Sequence, residues 1–185
     1  MNWSFYVEYA GLLFNRIPTT VYLACFVLLI ILVFVAIKIK GKKIGLDVAV
    51  TTLLIEYLFI ILCSAVIFRD ELAKRTYNLV PFWSYHSFFR GEDDQLMPQI
   101  IYNVLMFIPI GLLLASFNKR VLLIERRMFF FIIVFFAGLF ISVGIETLQY
   151  LLKRGLFEFD DIIHNTLGCM FGFLMYNMYK VIKAR

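Results

Sequence analysis

Five stretches of the chain carry little charge and are long enough to cross a membrane: Thr19–Ile37, Leu46–Phe68, Gln99–Phe117, Met128–Leu152 and Asp161–Ile182. Their apolar residues run on without the strict alternation of a strand, so each predicts a helix. At about 1.5 Å rise per residue, each suits a hydrocarbon layer of roughly 30 Å. The expected fold is therefore an all-α integral membrane protein with about five transmembrane helices. No internal repeat divides it, and residues 1–185 read as a single membrane domain. Two further segments are aromatic without being spans: Trp3–Phe14, and the 70–98 connector with Tyr77, Phe82, Trp83, Tyr85, Phe88 and Phe89. Aromatic rings favour the headgroup level. The first is expected to be an interfacial helix, and the second to lie on or dip into the outer leaflet.

Composition sharpens this class. The chain is 62% apolar and 17% charged, against about 45–50% and 25% in an ordinary soluble domain. A soluble globular protein is excluded, and 21 Phe against 10 Gly and 4 Pro exclude disorder. The net charge of +5 is what basic flanks beside anionic lipid produce, so it implies no nucleic-acid partner. Cys25, Cys63 and Cys169 each sit in an apolar run. They read as small buried residues, with no disulfide framework and no zinc spacing. The first apolar run lacks a basic leader and a small-residue cleavage site, so it is expected to remain as a span.

Charge alternates between the connectors. Eleven basic residues fall on one side, in the 38–43 loop, the 119–127 loop and the C-terminus, against seven on the other, spread over longer segments. Basic residues concentrate on the cytoplasmic side. The expected location is the bacterial plasma membrane, multi-pass, with the N-terminus outside and the C-terminus cytoplasmic.

That orientation gathers the polar residues within the outer third of the membrane. Asn103 opens the third span, Glu146 and Gln149 close the fourth, and Asp160, Asp161, His164 and Asn165 open the fifth. Polar groups at such depths are costly, so their positions carry information. Glu146, Gln149 and Lys153 share one helical face. Asp161, Asn165, Gly168, Gly172 and Tyr176 share another, and Asn103, Phe107, Gly111 and Leu114 a third. Gly168 and Gly172 form a GxxxG, which lets helices approach closely. Turning these stripes together predicts a small polar pocket, open to the outside, with packed glycines beneath it. Plainer roles stand beside this one. Asp160 or Asp161 also suits a helix N-cap, Asn103 and Asn165 suit interhelical glue, and His164 suits a solvated interface. Glu146 lies at the unfavourable end of its helix dipole and needs a partner; Arg154 is expected, with Arg69 or Arg75 as alternatives. Glu56, midway along the second span, is either protonated or paired with an unidentified polar group.

Three blocks resemble the VanZ-like family. They are Arg75-Thr-Tyr-Asn78-Leu-Val-Pro81-Phe82, then Asn103-Val-Leu-Met-Phe107-Ile-Pro109-Ile-Gly111, then Glu146-Thr-Leu-Gln149 followed by Arg154, Phe157–Asn165, Gly168 and Gly172. The resemblance covers residues 75–176 as a family core. One position departs from it: Glu158 stands where the family often has Asp. The resemblance implies a bacterial membrane protein that lowers sensitivity to teicoplanin, a lipoglycopeptide, by reducing the drug bound at the cell surface.

Four functions follow, in descending order. The first is a binding protein whose Arg75, Asn78, Asn103, Glu146, Gln149, Arg154, Asp161 and Asn165 hold a lipid-tailed drug or a lipid-linked cell-wall precursor. Mixed guanidinium and carboxylate chemistry reads zwitterionic or phosphate-bearing headgroups. The second is a membrane-embedded enzyme acting on a lipid or wall precursor, with Glu146 and Asp160 or Asp161 as acid and base and His164 as shuttle. The same carboxylate, imidazole and amide groups suit a divalent metal, yet no HExxH, GxSxG or recognised Cys–His spacing is present. No metal or cofactor is assigned. The third is a proton-coupled transporter or flippase using Glu56, which needs a homo-oligomer to build alternating access from so few spans. The fourth is a scaffold whose polar residues only join helices.

Overall fold

The computed structural model describes residues 16–117 and 127–183. The aromatic N-terminal segment, Trp3–Phe14, lies outside the described residues. Helix α1 spans Thr19–Lys40 and α2 Lys42–Leu62, the latter continued by a π-helical turn, Cys63–Ile67. A short strand β1, Thr76–Asn78, precedes the two-turn helix α3, Trp83–Phe89. Then come α4, Leu96–Phe117, α5, Arg127–Leu151, strand β2, Leu156–Glu158, and α6, Phe159–Lys183.

Four segments, Thr19–Lys40, Ile44–Ile67, Leu96–Phe117 and Met128–Leu151, are long and apolar enough to cross a membrane. This is an all-α membrane protein. Helix α6 matches the fifth expected span in place and is 25 residues long. Asp160, Asp161, His164, Asn165 and Asn177 make it the more polar helix, and it packs against both α4 and α5 with Asp160, His164 and Asn165 buried. A helix face covered by protein tolerates polar residues that a lipid-facing one does not. Helix α1 shows the opposite case. It packs on α2, buries no residue, and is apolar all round, which suits a helix facing lipid on most sides.

Glycine sets the distance between α4 and α6. A Cβ on Gly111 would lie 1.9 Å from the Cys169 carbonyl oxygen; on Gly168, 2.1 Å from that of Val104; on Gly172, 2.0 Å from that of Ile108. Only hydrogen fits at such backbone separations, and dispersion across them drives helix association where lipid gives no hydrophobic push. Phe107, Ile110, Phe130, Val134, Cys169 and Phe173 fill the space around this contact. Cys63 and Cys169 are buried as expected, Cys25 is half-buried, and all three are free thiols.

Strand β1 pairs with β2 in parallel, Thr76 opposite Leu156 and Asn78 opposite Glu158. The 70–98 connector is thus fastened to the turn between α5 and α6. The end of α2 and the starts of α4 and α6 meet the end of α5 at this same end of the bundle.

Candidate functional site

Glu146 lies near the end of α5, two turns before Lys153 takes a left-handed backbone (φ 55°). The turn is tied back by Arg154 N donating to the Gln149 carbonyl at 2.7 Å, an arrangement of the kind that ends helices with a left-handed residue. It carries the chain into β2 and sets the backbone N–H of Glu158 3.0 Å from Glu146 Oε2. The expected Glu146–Arg154 ion pair is therefore replaced: Glu146 accepts from a backbone donor, and Arg154 donates through Nη1 to the Arg69 carbonyl. The guanidinium of Arg69 and the amide of Gln149 both lie over Gly155, and Arg69 is within electrostatic reach of Glu146. Arg75 does not join the carboxyls either; its Nε and Nη2 donate to the Leu151 carbonyl at 3.4 and 3.3 Å.

The carboxyl cluster grows from Glu158. Its Oε2 accepts from Gln99 Nε2 at 2.7 Å, and the same amide reaches Asp161 at 3.3 to 3.4 Å. Glu158 is 4% exposed and Glu146 2%. Burial raises the Glu158 carboxyl pKa to about 9, with the charge of Asp161, a hydrogen bond to Asp161 and the charge of Glu146 adding to it, and the Gln99 donor opposing. Glu158 is thus a neutral acid at physiological pH, able to donate to Asp161.

Asp161 Oδ1 in turn lies 4.0 Å from His164 Nδ1, and His164 Nε2 shares a 2.9 Å hydrogen bond with the Tyr85 hydroxyl. His164 is 2% exposed, so it is a buried member of this chain of groups and not a solvated interfacial residue. The Tyr85 pKa is raised by burial first and by the Asp160 charge second.

Asp160 has a different duty. It does not cap its own helix. Its Oδ1 accepts from Phe82 N at 2.6 Å, and its Oδ2 accepts from Ser84 N at 3.0 Å and Ser84 Oγ at 2.5 Å. It therefore caps α3 from another helix. Phe82, the residue before α3, has φ 60°, a conformation that costs a bulky residue energy unless its surroundings hold it.

The remaining predicted residues are placed as follows. Gln149 Nε2 donates to the Ala65 carbonyl at 3.2 Å. Asn165 Nδ2 donates to Ser142 Oγ at 2.9 Å, the interhelical bond expected of it, while its Oδ1 is buried without a partner. Asn103 Nδ2 is likewise buried and unpaired. Asn78 Oδ1 accepts from Val80 N at 3.0 Å, making a local turn. The polar residues of α4, α5 and α6 converge, but as a close-packed cluster rather than the walls of an open pocket. An open cleft of about 510 Å³ lies beside it, lined by Val66, Ile67, Glu71, Leu151, Leu152, Lys153 and Arg154. Among the described residues, no three His, Cys, Asp or Glu side chains group so as to hold a metal ion.

Gln99, Ser84, Tyr85 and Ser142 were not anticipated as partners. Three of them lie in or beside the connector, where nothing in the sequence indicates docking. A partial signal existed for Gln99, an amide three residues into an apolar helix.

No solved structure matches this chain. Protein VanZ of Enterococcus faecium is 30% identical over 115 residues, covering 58% of this chain and 64% of the relative. The chain thus spans less than two thirds of that relative's length. The VanZ/LLP1 family model matches residues 49–180, from within α2 to the last turn of α6. This match takes in both strands, the glycine contact and every member of the carboxyl cluster, and the chain belongs to the VanZ/LLP1 family.

Proposed function

We propose that this protein lowers the sensitivity of a bacterial cell to lipoglycopeptide antibiotics such as teicoplanin, by binding a lipid-tailed drug or a lipid-linked cell-wall component at the polar end of its bundle. That end faces outward from the plasma membrane in this reading, with the N-terminus outside and the C-terminus cytoplasmic. The family resemblance supports the activity, and the denser basic residues of the opposite connectors support the orientation. The observation that carries the site is the buried cluster of Glu146, Glu158, Asp161 and His164 beside a cleft whose rim is formed by Lys153 and Arg154. Polar groups gathered against an amphiphilic cleft at a helix-bundle end suit a ligand with a polar head and an apolar tail.

The test is expression in a teicoplanin-susceptible bacterium, with vancomycin as the comparison drug lacking a lipid tail. Expression raises the inhibitory concentration of teicoplanin selectively. Glu146→Gln and Arg154→Ala remove that protection while the protein remains inserted at unchanged level. Full protection by both variants shows the polar end to be structural.

A second reading rests on the Tyr85–His164–Asp161 sequence of contacts. A tyrosine hydroxyl hydrogen-bonded to one imidazole nitrogen, with a carboxylate oxygen 4.0 Å from the other, which has no hydrogen-bond partner, has the members of an acid–base arrangement. In this reading the protein modifies a lipid or wall precursor, and mass spectrometry of lipids and muropeptides from expressing cells reveals a new species that Tyr85→Phe abolishes.

A further inference from the structure

We infer that the cleft between the end of α2 and the α5–β2 turn holds the phosphate headgroup of an anionic membrane phospholipid. This rests on the reading above for its biological purpose, but its chemistry is separate from the carboxyl cluster.

The walls come from two helix ends. Val66 and Ile67 close the π-helical turn after α2, Leu151 ends α5 and Leu152 follows it. Ile67, Leu151 and Leu152 are 48%, 52% and 52% exposed. They offer apolar surface at the level where both spans stop, which is where acyl chains meet headgroups.

The rim is cationic. Lys153 and Arg154 line the cleft, and Arg75 joins them because its guanidinium is bound to the carbonyl of the lining residue Leu151. Glu71 opposes them, 3.8 Å from Lys153 Nζ, and Asp70 and Lys74 flank it in the chain without lining the cleft. Arg69 is not counted, because its guanidinium turns inward over Gly155. Neither Arg75 nor Arg154 has a carboxylate within ion-pair distance among the described residues; the bonds recorded for both go to backbone carbonyls. A guanidinium has five donors in a fixed fork, so each keeps donors for the oxygens of a phosphate. Lys153 and Arg154 on the lining, with Arg75 bonded to Leu151 beside it, outnumber the one lining carboxylate, Glu71, and together with the apolar residues of the cleft they match one anionic head with its chains attached.

The experiment uses the full chain, purified and stripped of lipid in mild detergent. Phosphatidylglycerol and phosphatidylcholine with identical acyl chains are added in equal amounts, and bound lipid is read by native mass spectrometry without any antibiotic. Phosphatidylglycerol is retained preferentially, and millimolar inorganic phosphate does not displace it. The double variant Arg75→Gln with Lys153→Gln weakens its retention by roughly 30-fold, from about 1 kcal/mol per surface cation. Glu71→Gln strengthens it, a gain that a misfolded protein cannot produce. Equal retention of both lipids, displacement by free phosphate, or indifference to these substitutions overturns the inference. Lipid selectivity in a protein that gives no teicoplanin protection overturns the resistance reading alone.

Discussion

Asp160 receives three hydrogen bonds from Phe82 and Ser84, residues more than 75 positions earlier in the chain. A carboxylate in the first turn of α6 is favoured by that helix's own dipole, and it spends its lone pairs on the first donors of α3. One side chain thereby joins two helix N-termini. Asp160→Ala leaves those buried donors unsatisfied and removes charge-assisted bonds, which are worth about 1.5–3 kcal/mol. The melting temperature in detergent falls, and trypsin cuts more readily at Lys74, Arg75 and Arg90 around α3. Ser84→Ala, losing only the hydroxyl bond, costs about 1 kcal/mol.

The glycines offer an internal control. Gly111→Ala, Gly168→Ala and Gly172→Ala each force a methyl into a backbone carbonyl at about 2 Å, so α4 and α6 must separate. Overpacking of this kind costs about 1–3 kcal/mol. Gly144 on α5 has nothing within 4 Å of its notional Cβ, and Gly144→Ala is neutral or stabilising by up to about 1 kcal/mol. Thermal unfolding of the four variants separates the two classes. A Gly168→Ala protein as stable as the parent shows that the two backbones are farther apart than described.

Glu158 makes stability depend on pH. Its carboxyl pKa is raised to about 9, chiefly by burial, from the ordinary 4.5. Between those values the folded chain holds a proton that the unfolded chain has released. Stability from this group is complete below 4.5 and is lost as pH rises toward and through 9. Its slope is at most about 1.4 kcal/mol per pH unit. Glu158→Gln keeps a neutral group of the same shape, so the decline in melting temperature from pH 6 to 9 flattens. An unchanged decline assigns it to other groups.

The helices were legible because long apolar runs leave few alternatives. The run beginning at Thr19 starts α1 at the expected residue, and the fourth run ends within one residue of α5. The glycine contact was legible too, since GxxxG has one main use in such a helix. The partner of Glu146 was not. Opposite charge pointed to Arg154, whereas the actual donor is a main-chain N–H delivered by the Lys153 turn, and a backbone donor leaves no mark in a sequence. Strands of three residues and a helix of seven fall below the length at which periodicity says anything. They exist here because the bundle end provides their partners.

Glu56 separates transport from architecture. It is 9% exposed within α2, and its Oε1 has no hydrogen-bond partner. A buried unpaired oxygen costs about 1–3 kcal/mol. Glu56→Leu therefore raises the melting temperature and leaves teicoplanin protection intact. Loss of protection by a stable Glu56→Leu protein favours proton-coupled transport instead.

The pairing of Thr76–Asn78 with Leu156–Glu158 also imposes an order on biogenesis. The first strand emerges from the ribosome about eighty residues before its mate, and two long helices must be threaded into the bilayer in between. Until Glu158 arrives, Glu146 lacks its main-chain donor and the first donors of α3 lack Asp160. A nascent chain interrupted before Leu156 therefore carries α1, α2, α4 and α5 but neither α6 nor the clasp, and becomes a natural target for membrane quality control.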